Sequence, residues 1–235
     1  MKNLSPLKSN QQMNPELNYS YFSISNKYNL SNSNNRLLTS NERMPQYEYY
    51  QQSIINIGDD EKIKPRVLCD PIYGSITIPN VCWDIIDKFE FQRLRNLKQL
   101  GNSHNVFPGA THNRFEHCIG TAHLANQTMK YLLPELDFLD KEELIYKTNS
   151  VVLAGLLHDI GHGPFSHLFD KTLEKLYKQK GFSDSHLENL CEHEFRSVGL
   201  IDYMIEKYDS INLEKKQVEF IKDLILGGKE TEDSK

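Results

Sequence analysis

No stretch of this sequence approaches the ~20 consecutive apolar residues of a membrane-spanning helix. The start, Met1 to Asn10, also lacks the apolar centre of a secretory signal. The four cysteines, Cys69, Cys82, Cys118 and Cys191, lie far apart and include no CxxC pair. Such spacing offers neither a zinc knuckle nor a disulfide framework, and it predicts a reducing, intracellular setting. Basic residues are in the minority, 27 against 32 acidic, for a net charge of -5. That balance gives no indication of broad nucleic-acid binding. The chain also has no internal repeat.

What is present is a 235-residue chain with 38% hydrophobic and 25% charged residues, a globular balance. Its mean hydropathy of -0.58 is nevertheless polar. The polar excess is localised in residues 1–60, rich in Asn, Ser, Gln and Tyr, with runs such as Ser31-Asn32-Ser33-Asn34-Asn35. A segment of that composition buries too little apolar area to offset the entropy of ordering it. It is predicted to be a disordered head, by default a passive spacer, with docking through its tyrosines as the alternative. The head carries five basic and five acidic side chains, so the net charge belongs to residues 61–235.

From Lys62 the texture changes. Residues 66–69 and 75–78 read as short strands joined across the turn-forming Asp70-Pro71-Ile72-Tyr73-Gly74, a small hairpin. Beyond it the pattern is helical, near 81–87, 89–99, 114–133, 142–159, 164–179, 187–208 and 214–226. Phe115, Cys118, Ile119, Ala122, Ala125, Met129 and Leu132 recur at three and four, one face of a helix. Val151 to Leu157 is apolar on every side, which predicts a central helix buried all round. The fold class is therefore mostly α with a short N-terminal β-hairpin.

All nine histidines fall between His104 and His193. Among them, His158-Asp159 ends the most apolar helix, where an unpaired carboxylate would face a desolvation cost of several kcal/mol. A cation would remove that cost, and imidazole with carboxylate suits Fe, Mn, Zn or Mg. Gly161-His162-Gly163-Pro164 stops this helix, the glycines being expected to supply left-handed backbone and Pro164 to open the next helix. The free N–H groups of that next helix would form an anion site. His167 and Asp170 share one face of it. Imidazoles, a carboxylate and an anion-binding helix end beside a metal suggest phosphate-ester chemistry. His117, taken alone, reads as an ordinary half-buried histidine, and Arg114 as a solvated charge. Gln92 and Arg95 share a helical face suited to a base edge or to water.

Taken together, Asp70-Pro71-Ile72-Tyr73-Gly74, Phe91-Gln92-Arg93-Leu94-Arg95, Lys98-Gln99-Leu100-Gly101, Val106-Phe107-Pro108-Gly109-Ala110, His112 to His117, Ala154 to Asp159 and Gly161 to His167 closely resemble the HD-domain deoxynucleoside triphosphate triphosphohydrolases. The likeness is strongest to eukaryotic members that join a SAM domain to the HD domain, although no SAM pattern precedes it in this sequence. It covers about residues 62–200, and makes residues 61–235 the N-terminal part of an HD phosphohydrolase domain. The resemblance implies an HD-type helical fold in which water cleaves the bond between the α-phosphate and the nucleoside 5′ oxygen of a dNTP. It assigns His117, His158 and Asp159 as ligands of a divalent metal. It gives Arg114, His162 and His167 substrate-phosphate and proton-transfer roles, and makes His193 a second catalytic histidine oriented by Asp170. Gln99 and Leu100 match residues beside the deoxyribose. Asp87, Gln92 and Arg95 match a regulatory site for a guanine nucleotide that promotes oligomer formation, as a dimer or tetramer. A nuclear or cytoplasmic location is implied.

Two departures touch the regulatory site: Tyr73 stands where histidine is common, and Cys69 replaces a common asparagine. The sequence also stops before the family's fourth-ligand motif. Asp184, Asp202, Asp209 and Asp223 are available, but none lies in a matching context. The expectation is weak metal binding and poor dNTP turnover by this chain. Two alternatives stand beside that reading: a silent nucleotide-binding or regulatory protein, and another HD phosphohydrolase acting on monophosphates or cyclic nucleotides.

Overall fold

The computed structural model describes residues 66–132, 136, 139–181 and 189–227. The predicted head, residues 1–60, and Asp184 lie outside these. Strands β1 (Val67–Asp70) and β2 (Gly74–Thr77) pair antiparallel, with Leu68 opposite Ile76 and Asp70 opposite Gly74. The Asp70 carboxylate closes the turn by accepting the Ile72 and Tyr73 N–H groups at 2.8 and 2.9 Å. Seven α-helices follow among the described residues: α1 (Asn80–Ile86), α2 (Phe89–Gln92), α3 (Arg114–Leu132), α4 (Lys141–Leu157), α5 (His167–Lys180), α6 (His193–Lys207) and α7 (Lys215–Leu226). The architecture is mostly helical with one small hairpin.

Helix α4 starts where Asp140 accepts the Glu143 N–H at 2.8 Å. It packs between α3 and α7, and Val152, Leu153, Leu156 and Leu157 are fully buried. The predicted stripe of α3 buries Phe115, Cys118, Ile119, Ala122 and Met129, whereas Leu132, in the last turn, is exposed. Phe91 of α2 meets Phe115 edge to face, with ring centroids 5.4 Å apart, tying the short N-terminal helices to α3.

Three predicted boundaries shift. The helix expected over 89–99 is α2 followed by a 3-10 turn, Arg93–Asn96. Leu97 then turns extended, because its carbonyl accepts the Arg114 N–H at 2.8 Å and the Gln99 N–H reaches the His112 carbonyl at 3.2 Å. This pairing fixes residues 97–99 against the stretch that precedes α3. Helix α5 begins at His167, not at 164, since Phe165 and Ser166 adopt positive φ angles of 64° and 56° that no helix accommodates. Helix α6 begins at His193, with Glu192 extended before it; the predicted start near 187 lies outside the described residues.

Candidate active site

The chain leaves α4 through His158 and turns sharply over Asp159 to Gly163. Side chains from distant segments cap the carbonyls of this turn. Ser197 donates to His158 O at 2.8 Å and accepts the Gly161 N–H at 2.8 Å. Arg93 donates to Ile160 O and, at 2.9 Å, to His162 O. Arg196 donates to Gly161 O at 3.0 Å. None of Arg93, Arg196 and Ser197 stands out in the sequence; Arg93 lies inside a recognised motif, but only as a neighbour of Gln92 and Arg95.

The glycines of the turn serve a purpose different from the one expected. Neither Gly161 nor Gly163 has a positive φ; that conformation falls on Phe165 and Ser166. What the glycines provide is space. A Cβ on Gly161 would lie 2.3 Å from Ser197 N and 2.4 Å from His193 O, and one on Gly163 would lie 2.5 Å from the Phe169 ring. The turn is thus pressed against the start of α6. Pro164 precedes α5 by three residues and is not in its first turn.

Asp159 is 4% exposed, and each of its oxygens faces a separate group of side chains. Toward Oδ2 come Arg114 Nη1, His117 Nε2 at 3.2 Å and His158 Nε2 at 3.4 Å. Toward Oδ1 come His162 Nε2 at 3.4 Å and His193 Nε2 at 3.8 Å. Arg114, only 3% exposed, is not the solvated charge that it resembles in isolation. The carboxylate is accordingly not unpaired, since a guanidinium shares its pocket. Burial would raise the Asp159 pKa, but hydrogen bonds from His117, His158 and His162 hold it well below the usual carboxylate range.

His117, in the first turn of α3, and His158, at the end of α4, bring their Nε2 atoms to 3.2 Å of each other. The His158 Nδ1 lies 2.9 Å from the Gly155 carbonyl. A carbonyl only accepts, so Nδ1 carries a proton in either charge state, and the neutral ring would offer the Nε2 lone pair to a metal in place of its bond to Asp159. Burial lowers the His158 pKa, but Asp159 outweighs it and the net direction is upward. The donor atoms of His117, His158 and Asp159 all lie within 4.8 Å of one another. Two imidazole nitrogens and one carboxylate oxygen converging on one point fit a divalent transition metal.

A second histidine group adjoins the first. His162 is 1% exposed and stacks on His193 with centroids 3.8 Å apart and planes at 18°. His167 stands edge-on to both, at 5.2 Å, with 69% of its side chain exposed. Burial, Arg114 and His193 together push the His162 pKa down despite Asp159. Its Nδ1 is buried and without a hydrogen-bond partner among the described residues. Asp170 lies 3.1 Å from His193 Nδ1 and 3.7 Å from His167 Nδ1.

The remaining predicted residues occupy two places. Gln99 lies beside the site: Arg114 Nε donates to Ser166 Oγ at 3.2 Å, and Ser166 donates to Gln99 O at 3.0 Å. Leu100, next in the chain, is half exposed. Farther off, Arg95 donates to the Gln92 side chain at 2.7 Å and lies over the Phe115 ring, while Gln92 donates to Ile86 O at 2.7 Å. Asp87 pairs instead with Arg66 at 2.6 Å. Of the carboxylates considered as fourth ligands, Asp202 pairs with Lys222 and Asp209 and Asp223 are exposed. None joins the His117 group among the described residues.

Residues 114–224 match the model of the HD domain family, and this span holds both histidine groups and helices α3 to α6 in full. The chain carries an HD domain related to those of the dNTP triphosphohydrolases. The deoxynucleoside triphosphate triphosphohydrolase SAMHD1 homolog of Dictyostelium discoideum is 36% identical over 165 residues, 69% of this chain and 29% of that protein. SAMHD1 of Bos taurus is 40% identical over 171 residues, 71% and 28% of the two chains, and SAMHD1 of Homo sapiens 39% over 192 residues, 79% and 29%. The chain thus spans less than a third of the length of these relatives. No helix among the described residues is long and apolar enough to cross a membrane.

Proposed function

We propose that this HD domain hydrolyses deoxynucleoside triphosphates to a deoxynucleoside and inorganic triphosphate, with a divalent metal at its centre. The observation that carries the reading is the convergence of His117, His158 and Asp159 beside Arg114 and a second set of histidines. A cation held by His117, His158 and Asp159, whether Fe, Mn, Zn or Mg, would supply Lewis acidity at a phosphoryl oxygen. Arg114 offers a buried guanidinium, suited to an α-phosphate oxygen as negative charge grows there. Reaching phosphate would loosen the hold of Arg114 on Asp159, a carboxylate that would be neutralised as a ligand of a bound cation.

His167 has 69% of its side chain exposed and so is open to a substrate, and in this reading its protonated ring donates to the departing 5′ oxygen. His193, with its Nδ1 3.1 Å from Asp170, is suited to move a second proton, with His162 as its buried stacking partner. Gln99 and Leu100 border the space expected for the deoxyribose. Asp87, Gln92 and Arg95 lie apart from this centre and suit the separate guanine-nucleotide activator site of an oligomer, a dimer or tetramer. A nuclear or cytoplasmic location belongs with the same reading.

A second reading, nucleotide binding with little turnover, is supported by the donor count: three among the described residues, with Arg114 already against Asp159. Product and metal analysis of the purified chain with dGTP and Mn²⁺ separates the cases. Triphosphate release supports hydrolysis at the α-phosphate, and orthophosphate marks a different phosphohydrolase. Metal or nucleotide binding without product supports the second reading.

A further inference from the structure

Helix α6 carries His193 at its first position and Arg196 one turn later. Every nitrogen of the Arg196 guanidinium is engaged. Nε donates to Gly161 O at 3.0 Å, Nη1 to Leu190 O at 2.7 Å, and Nη2 to Asp170 Oδ1. The other Asp170 oxygen, Oδ2, lies 3.1 Å from His193 Nδ1. One planar group therefore ties together the turn bearing His158 and Asp159, the loop entering α6, and the carboxylate facing His193.

We infer that Arg196 is the positioning residue of His193: by locking Asp170 in place against the Gly161 turn, it fixes the His193 ring with its proton on Nδ1 and its free lone pair on Nε2, toward Asp159. The inference deepens the proposed reaction, and rests on it for the importance of His193. Geometry carries it. A carboxylate anchored through Oδ1 has only Oδ2 left for the ring, and that oxygen accepts, so the imidazole nitrogen opposite must donate. The second nitrogen is then an acceptor, stacked on His162 and 3.8 Å from Asp159 Oδ1. Against the opposing effect of burial, Arg196 also holds the Asp170 carboxyl below its usual range and keeps it an acceptor. A lysine would keep the charge but not the planar fork that reaches two carbonyls and a carboxylate at once.

One rival faces the same atom. Glu194 Oε2 lies 3.3 Å from His193 Nδ1. The test must therefore distinguish Asp170 fixed by Arg196 from Glu194 acting alone.

Histidine tautomers are read from long-range ¹H–¹⁵N correlations of the full chain, chelator-treated so that no paramagnetic ion broadens the signals. The measurement is made at about pH 8, above the ordinary imidazole pKa of about 6.5. The spectrum of His193→Gln identifies the His193 signals by difference. Wild type is expected to show the Nδ1–H tautomer, Arg196→Met an averaged pair of nitrogen shifts, Arg196→Lys an intermediate pattern, and Glu194→Gln the wild-type pattern. An unchanged tautomer in Arg196→Met, or its loss in Glu194→Gln, overturns the inference. If Arg196→Met does not fold, Arg196→Lys decides, and a full wild-type pattern there overturns it equally. With dGTP as substrate, Arg196→Lys should lower kcat about tenfold with KM within about twofold, a split that loss of folded protein does not give. Wild-type chain that releases no triphosphate tells against the proposed reaction, and leaves the tautomer measurement to judge Arg196.

Discussion

At the scale of single residues, two ion pairs of the same chemistry differ in what their loss should cost. Arg66 and Asp87 meet at 2.6 Å with both side chains about half exposed, where a pair is worth about 0–1 kcal/mol. Arg114 and Asp159 meet in a pocket that leaves each nearly inaccessible. Removing one partner there strands the other, at about 3–5 kcal/mol. Urea denaturation of the metal-free chain should show Asp159→Ala destabilised by about 3 kcal/mol or more, and Asp87→Ala by less than about 1 kcal/mol. Equal effects would mean that Arg114 escapes to water when Asp159 is gone. The same residue separates binding from turnover. Asp159→Ala should strip the metal, whereas His167→Ala, outside the His117 group, should keep the metal and lose rate. Metal analysis beside kcat for both variants checks this, and equal metal loss would place His167 among the ligands.

At the scale of elements, the contact between the corner after α4 and the start of α6 is the tightest in the site. Gly161→Ala would drive a methyl group into Ser197 N and His193 O, backbone atoms that cannot swing aside. Overpacking of this kind costs about 1–3 kcal/mol. It should lower Tm and also displace His193, so kcat should fall further than the stability loss explains. A Gly161→Ala chain with wild-type Tm would show that the two elements are not pressed together. Helices α3 and α4 were legible in the sequence because the period of Phe115, Cys118, Ile119 and Ala122, and the apolar run Val151 to Leu157, are local signals of burial. The start of α5 was not legible. Gly-His-Gly-Pro reads as a stop followed by a new helix, and nothing in Phe165-Ser166 announces positive φ on two non-glycine residues. Tertiary bonds stabilise that conformation, with Ser166 held between Arg114 and Gln99. Arg93 and Arg196 stayed hidden for the same reason. Their bonds to the carbonyls of residues 160–162 span 67, 69 and 35 positions, and no local pattern encodes contacts at that range.

At the scale of the whole molecule, the short N-terminal helices are fastened to the far end of α6 by a buried acid. Glu90 accepts from Lys207 Nζ at 2.8 Å and from Tyr208 at 3.0 Å. Burial works to raise its pKa, but the bonds from Lys207, its own backbone and Tyr208 prevail, and the net direction is downward. A carboxyl depressed in the folded state contributes stability above its unfolded value of about 4.3, and that contribution disappears as pH falls through the folded pKa. The stability gap between wild type and Glu90→Gln should therefore be widest near neutral pH and close on acidification. A gap independent of pH would mean that Glu90 contributes packing and not charge. The sequence composition of residues 1–60 sets a further expectation: a chain beginning near Asp60 should melt as the full chain does.

The position of the broken bond tests the whole account most directly. The full chain is incubated with dGTP and Mn²⁺ in H₂¹⁸O, and the products are separated and weighed by mass spectrometry. Attack of water at the α-phosphorus, with the 5′ oxygen departing, predicts one ¹⁸O in inorganic triphosphate and none in deoxyguanosine, with both products lost in Asp159→Ala. The position of the label does not depend on how slowly the chain turns over. Label in orthophosphate or in deoxyguanosine, or equal product from the Asp159→Ala chain, would contradict it.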